Sequence, residues 1–428
     1  MTTAAQPPAP STRAIAPDVA RGLMLLMIAL ANAPWLAFDV SRGFTLSHAK
    51  DAEGLDLAWQ VISIIAIDGR SYPLFAFLFG YGIWQLYRRQ YQSGTDERSA
   101  RRLLQRRHLW MLAFGALHAL LLWYGDIIGA YGLTGLVIVA ALLGRSDKAL
   151  KITAWILAGL IAMGAVFSVV SAIVLQFLLD GGMVDRAMFE TGGFDPFALL
   201  AVDDYGLSMV VRLGVWVAMT IGQVLFMTVP LAVILGILAA RRGLLDSPAD
   251  HVRTLRRLAV AGIAIGWTGG ALTALQFVGV LPLDDVLDWG LQGVHSLTGV
   301  ACGVGYAAAF GLLAIRMQRR PGPVGFALQA VGKRSMTSYL LQSVVMAPLL
   351  SPWGFGVGER ITPLALVAVA VGTWLATVVV AVLLERAGRR GPAEWLLRRL
   401  AYGHRAVAAP TPVTASDHRP AAAAESRT

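Results

Sequence analysis

Three polar groups stand inside stretches that are otherwise apolar, and each invites a chemical reading. The first is Gly115-Ala-Leu-His118-Ala-Leu-Leu-Leu-Trp123-Tyr-Gly-Asp126. Histidine titrates near neutrality, so it suits proton transfer at ordinary pH. A carboxylate beside it can orient the ring or an acceptor, which makes His118 a candidate general base and Asp126 its orienter. His118 follows Arg107 by roughly 16 Å of helix, about half of a ~30 Å bilayer core. Asp126 would lie a further ~12 Å on if the helix continues.

The second group is Asp68-Gly-Arg70-Ser-Tyr-Pro73. Pro73 lacks an amide donor and Gly69 loosens the turn, so the helix should break there. A break inside a membrane survives where protein buries it or where it lines a wet cavity. Arg70 suits an anion clamp through its planar, always charged guanidinium, or it reaches lipid headgroups from an interfacial elbow. The third group is Lys333-Arg334 leading into Thr337, Ser338, Gln342 and Ser343, either a phosphate-binding pair with substrate contacts or helix-joining polar residues. Asp68, Asn32 and Gln342 complete the candidate substrate contacts, with Arg70, Lys333 and Arg334 as the donor clamp. Asp18 and Arg21, three residues apart, should pair at a helix start. His48 and His295 are the alternative catalytic histidines. No zinc-ligand spacing, nucleotide-binding glycine loop or nucleophile elbow occurs, and no metal is expected.

The elements that must carry these groups follow from composition. Of 428 residues, 56% are hydrophobic and only 14% charged, against roughly 25% charged in soluble domains. Cys302 is the only cysteine, which excludes a disulfide scaffold. Ten apolar stretches approach or exceed bilayer length: 19–40, 57–87, 108–124, 126–144, 149–179, 207–240, 255–281, 289–316, 335–350 and 362–385. Their continuous rather than alternating apolar character predicts an all-α, polytopic helical bundle of about ten transmembrane helices. Arginine and lysine crowd alternate loops, at 88–107, 145–151, 241–257, 316–334 and 386–399, which places both termini in the cytoplasm. The net charge of +10 then reflects topology and anionic lipid contact, and nucleic acid is not an expected partner. Residues 1–16 and 404–428 are expected to be disordered, 17–390 to form the membrane domain, and 391–403 an interfacial amphipathic helix. The first span should remain as an uncleaved anchor.

Several of these motifs together resemble the bacterial YeiB-like family, whose C-terminal region is domain-of-unknown-function family 418. The resemblance rests on Asp18-Val-Ala-Arg21-Gly22 with Asn32, on Pro73-Leu-Phe-Ala-Phe-Leu-Phe-Gly80, and on His118 to Asp126. It also rests on Gly332 to Ser343 and Gly391 to Gly403. Arg70-Ser71 stands for a commoner Lys-Phe, and Ile128 for a leucine. The opening motif and the Pro73 segment are also similar to the lysosomal heparan glucosaminide acetyltransferase. That likeness implies a transmembrane acyltransferase with cytoplasmic acyl-CoA as co-substrate and a small-molecule or glycan acceptor reached from outside. It further implies a catalytic histidine after the first span, where this chain has His48. The rival is a transporter or flippase of a small amphipathic metabolite, using the broken span and the His–Asp system as its path. Enzyme and carrier both stay open at this point. The expected location is the bacterial plasma membrane, among lipids, with a homodimer allowed for.

The loop charges generate a direct test. With Cys302 replaced by Ala, Asp96→Cys and Asp285→Cys should react with an impermeant thiol reagent from opposite faces of the membrane. Labelling from one face overturns the topology.

Overall fold

The computed structural model describes residues 14–37, 47–190, 200–320 and 322–403. Within them the regular elements are helices. In chain order, α1 is Ile15–Asn32, α2 Gly54–Ala66, α3 Ser71–Gln92, α4 Glu97–Leu121, α5 Ile128–Ala141, α6 Asp147–Asp180 and α7 Tyr205–Leu225. Then come α8 Thr228–Arg241, α9 Val252–Phe277, α10 Gln292–Arg319, α11 Pro323–Lys333, α12 Ser335–Leu350, α13 Pro363–Arg386 and α14 Pro392–Tyr402. The ends expected to be disordered, 1–16 and 404–428, lie outside the described residues, except that Ala14 precedes α1 and Ile15 and Ala16 already belong to it.

Among the described residues seven stretches are long and apolar enough to cross a bilayer: Ile15–Leu36, Gly54–Gln92, Asp147–Asp180, Tyr205–Leu225, Pro248–Phe277, Asp285–Arg319 and Pro363–Arg386. The apolar helices α5, α8 and α12 are shorter. The polytopic all-α membrane architecture is therefore borne out. On α6, Trp155, Phe167 and Phe177 are 75%, 72% and 69% exposed, an outward apolar face suited to hydrocarbon.

Helix ends follow local chemistry. Asp96 caps α4 by accepting from the Ser99 amide, and Asp204 caps α7 by accepting from Leu207. The expected break at 67–70 is present, with Gly69 at φ 69° and Pro73 in the first turn of α3. A second break divides the stretch 207–240, which reads as one span, into α7 and α8. Pro230 explains it, because in a continuous helix its ring would collide with the Phe226 carbonyl. Met227 turns the chain there with φ 66°.

The core packs α1, α3, α8, α10 and α12 together through Met24, Leu78, Tyr81, Val233, Ile237, Val300 and Tyr339. Small residues set the closest approaches, as in other membrane bundles. A Cβ on Gly80 would meet the Val233 carbonyl, and one on Gly236 the Phe77 carbonyl, so α3 and α8 run backbone to backbone. The amphipathic helix expected at 391–403 is α14. It turns Leu397 and Ala401 inward and docks on α4, where Arg106 donates to the Leu400 carbonyl at 3.3 Å. In the loops of opposite polarity, Lys50 donates to Asp285 at 3.0 Å and Arg186 to Asp284 at 2.8 Å.

The glycine contact sets a stability expectation. Gly236→Val should destabilise the protein by about 2 kcal/mol or more through forced separation of α3 and α8. Gly159→Ala on α6, where an added methyl group meets nothing within 4 Å, should be neutral or stabilising. Thermal unfolding in detergent checks both, and equal effects would refute the packing account.

Candidate functional site

Residue 118 falls in the last turn of α4, and the helix stops shortly after it. The amides of Leu122 and Trp123 both return to the His118 carbonyl, and the chain reverses before α5. This reversal corrects the straight-helix expectation: Asp126 is not ~12 Å beyond His118. Its Oδ1 lies 2.8 Å from His118 Nδ1. Asp126 Oδ2 accepts from the Gly129 amide at 2.7 Å, capping α5, and from Trp216 Nε1 of α7 at 3.3 Å. Gly115 leaves the space that this carboxylate occupies. Both side chains are nearly inaccessible, at 2% for His118 and 0% for Asp126.

The hydrogen-bond network assigns the tautomer. A carboxylate accepting at Nδ1 puts the imidazole proton there and leaves the lone pair on Nε2. Among the described residues His118 Nε2 has no hydrogen-bond partner. The ring lies edge-on to Tyr339, with centroids 5.4 Å apart. An imidazole oriented at Nδ1, with Nε2 buried and unpartnered, can serve as a general base for an acceptor that reaches that nitrogen.

Tyr339 also forms part of the wall of a cavity of about 260 Å³ on the side of the arginine-rich loops. Asp18 and Arg21 of α1, Arg89 of α3, Arg107 of α4, Lys333 of α11 and Glu394 of α14 supply its charged groups. Phe75, Phe79, Met111, Tyr131 and Met336 supply apolar wall. Arg21 pairs with Asp18 at 3.2 Å as expected, and Lys333 with Glu385 at 2.5 Å. Arg21, Arg89 and Arg107 read from sequence only as topology or helix-start residues. Their convergence depends on α1, α3 and α4 packing together, which no local spacing reveals.

A second buried cluster forms at the break between α2 and α3. His48 Nε2 lies 2.7 Å from Asp68 Oδ2. His295 Nε2 lies 3.0 Å from the Asp68 carbonyl, and its Nδ1 3.1 Å from Thr273 Oγ1. Arg70 is fully buried and donates to the Asp68 carbonyl, to His295, and to the Gly266 carbonyl of α9 at 2.8 Å. Three candidates from distant positions, His48, Asp68 and His295, thus meet around Arg70, which satisfies the Asp68 carbonyl at the break and reaches the Gly266 carbonyl of α9.

The remaining candidates are dispersed. Arg70 and Arg334 do not line the cationic cavity, whereas Lys333 does. Arg334 is buried and donates to Glu385 at 2.6 Å, to the Ala330 carbonyl at 3.2 Å and to the Arg389 carbonyl. Gln342 is buried and donates to the Leu25 carbonyl at 3.1 Å, tying α12 to α1. Asn32 ends α1, half-buried. Among the described residues no group of three or more His, Cys, Asp or Glu side chains could hold a metal ion.

Residues 239–404 match the family model described as protein of unknown function (DUF418). The chain is 26% identical over 408 residues to uncharacterized protein YxaH of Bacillus subtilis (strain 168), covering 90% of this chain and 93% of that one. It is 26% identical over 410 residues to uncharacterized protein YeiB of Escherichia coli (strain K12), covering 90% and 94%. The YeiB-like, DUF418 resemblance is borne out, and neither relative's name carries an activity.

The placement of Arg334 yields a prediction. Arg334→Gln leaves Glu385 with Lys333 alone and removes the donor to the Arg389 carbonyl, so stability should fall by about 1–3 kcal/mol. Thermal unfolding of purified protein measures it. An unchanged midpoint would show that these bonds contribute nothing to the fold.

Proposed function

We propose that this YeiB-like membrane protein is an acyltransferase of the bacterial plasma membrane. It moves an acyl group from cytoplasmic acyl-CoA to a small-molecule or glycan acceptor reached from the outer face. One observation supports this above the others: His118 is fixed at Nδ1 by Asp126 while Nε2 stays unbonded, and the ring touches the tyrosine that walls the cationic cavity.

In this reading the acceptor hydroxyl or amine gives its proton to His118 Nε2 as its oxygen or nitrogen attacks the thioester carbonyl carbon. The carbon–sulfur bond then breaks, and the imidazolium returns the proton to the departing thiolate. Asp126 keeps the ring in one tautomer and stabilises the imidazolium while it exists. Arg21, Arg89, Arg107 and Lys333 attract the donor's phosphates to the cavity rim, where guanidinium groups suit phosphate oxygens.

The buried His48–Asp68 and Arg70–His295 contacts at the broken helix favour a second reading. Ionisable groups at a helix break are also how carriers build substrate or proton paths. The two readings part on product. Proteoliposomes given labelled acyl-CoA and a pool of hydroxyl and amine acceptors should form acylated product. His118→Gln should lower turnover by about 10²–10⁴-fold per folded molecule. Full activity in that variant removes the general-base role, and uptake or export without acyl product favours the carrier.

A further inference from the structure

The cavity contains an internal anion. Glu394 of α14 does not pair with the arginines around it. Its Oε1 accepts from the amides of Met336 at 2.8 Å and Thr337 at 3.0 Å, and its Oε2 from the Thr337 hydroxyl at 2.5 Å. Two amides of a helix's first turn plus a hydroxyl is also the donor set that phosphate takes at helix N-termini.

The surrounding charge makes the same point independently. Four cations, Arg21, Arg89, Arg107 and Lys333, line the cavity with two carboxylates, Asp18 and Glu394. Arg21 and Lys333 have carboxylate partners. Among the described residues no carboxylate lies within ion-pairing distance of Arg89 or Arg107, although Glu394 is within electrostatic reach of Arg107. The site is therefore undercharged in anions even with Glu394 in place. Beneath the rim the wall turns aromatic, with Phe75, Phe79 and Tyr131.

We propose that this cavity binds a phosphate ester carrying an apolar portion, and that α14 is its displaceable cover. Glu394 holds the place of the ligand's phosphate at the first turn of α12. The cover is lightly held: of the eleven residues of α14, only Leu397 and Ala401 are buried. Elements with few buried apolar contacts open most readily. An arriving phosphate supplies more charge than one carboxylate to the same amides and adds bonds to Arg107 and Arg89, so it competes with Glu394 and releases the helix. The ligand's identity as an acyl donor rests on the acyltransferase reading; the anion site and its cover do not.

The test reads binding, without turnover, on the full-length protein in nanodiscs of zwitterionic lipid. Coenzyme A is the soluble phosphate ester, and phosphatidate doped into the nanodisc is the lipid one. The ligand should speed hydrogen–deuterium exchange in residues 392–402. Glu394→Gln should tighten coenzyme A binding about fivefold and raise exchange there without ligand, while Arg107→Gln should weaken binding about tenfold. Arg89, which is exposed, provides a second variant that leaves the fold intact, and Arg89→Gln should weaken binding in the same direction. The same responses to phosphatidate alone assign the site to a lipid headgroup. Binding that ignores all three substitutions, or no response of 392–402 to either probe, overturns the proposal. Coenzyme A binding without acyl product instead removes the acyltransferase reading and leaves this site standing. Acyl transfer that these substitutions leave untouched does the reverse.

Discussion

A carboxylate or an open peptide group inside hydrocarbon finds no water, so its partners must come from the protein. Asp126 meets that constraint with both oxygens, accepting from His118 on one and from Gly129 and Trp216 on the other. The three donors belong to α4, α5 and α7, so one buried charge fixes how three helices meet. Gly115 contributes by absence of a side chain, since any larger residue would occupy the space of the carboxylate. The same constraint operates at the break between α2 and α3. There Arg70 is tolerated in full burial because it donates to the Asp68 and Gly266 carbonyls. Satisfied polar groups of this kind specify one arrangement of helices that are otherwise interchangeably apolar.

What could be read from the chain depended on whether the signal was local. Pro73 and Gly69 marked the first break because both act on their own backbone. Pro230 marks the second by the same rule, yet 207–240 is so uniformly apolar that it reads as one span. The His118–Asp126 pair was legible as residue types at a spacing, but not as a contact. The reversal at 122–127 brings the two together, and continuous helix would have kept them apart. The meeting of His48, Asp68 and His295 is tertiary throughout, joining the segments after α1, between α2 and α3, and in α10. The partner of Arg334, Glu385, sits on α13, some fifty residues on in the chain, which is why a basic pair at a helix start resembled a phosphate clamp.

The arginines carry two kinds of information at once. Their distribution among loops follows the insertion bias of membrane helices, and that pattern alone accounts for their number. Position within each loop is a separate matter. Arg21, Arg89 and Arg107 come from different helices and converge on one cavity, whereas Arg241 donates to the Leu143 and Arg145 carbonyls at the loop after α5. Topology explains why a residue is basic; packing decides whether the charge closes a helix end, braces a loop or remains available to an anion.

Separation of the dry pair from the charged rim gives the cavity a direction. A phosphate dianion is strongly held by water and guanidinium, so carrying it past Phe79 and Tyr131 would strip those contacts without replacement. An apolar chain faces the opposite preference and gains by leaving water for the aromatic wall. A ligand with one anionic end and one apolar end therefore has a single favourable orientation, head at Arg107 and tail toward Tyr339. The depth reached by any reactive group is then set by its distance from the phosphate along the ligand. In the proposed acyltransferase, His118, in ring contact with Tyr339, would then discriminate by length as well as by chemistry.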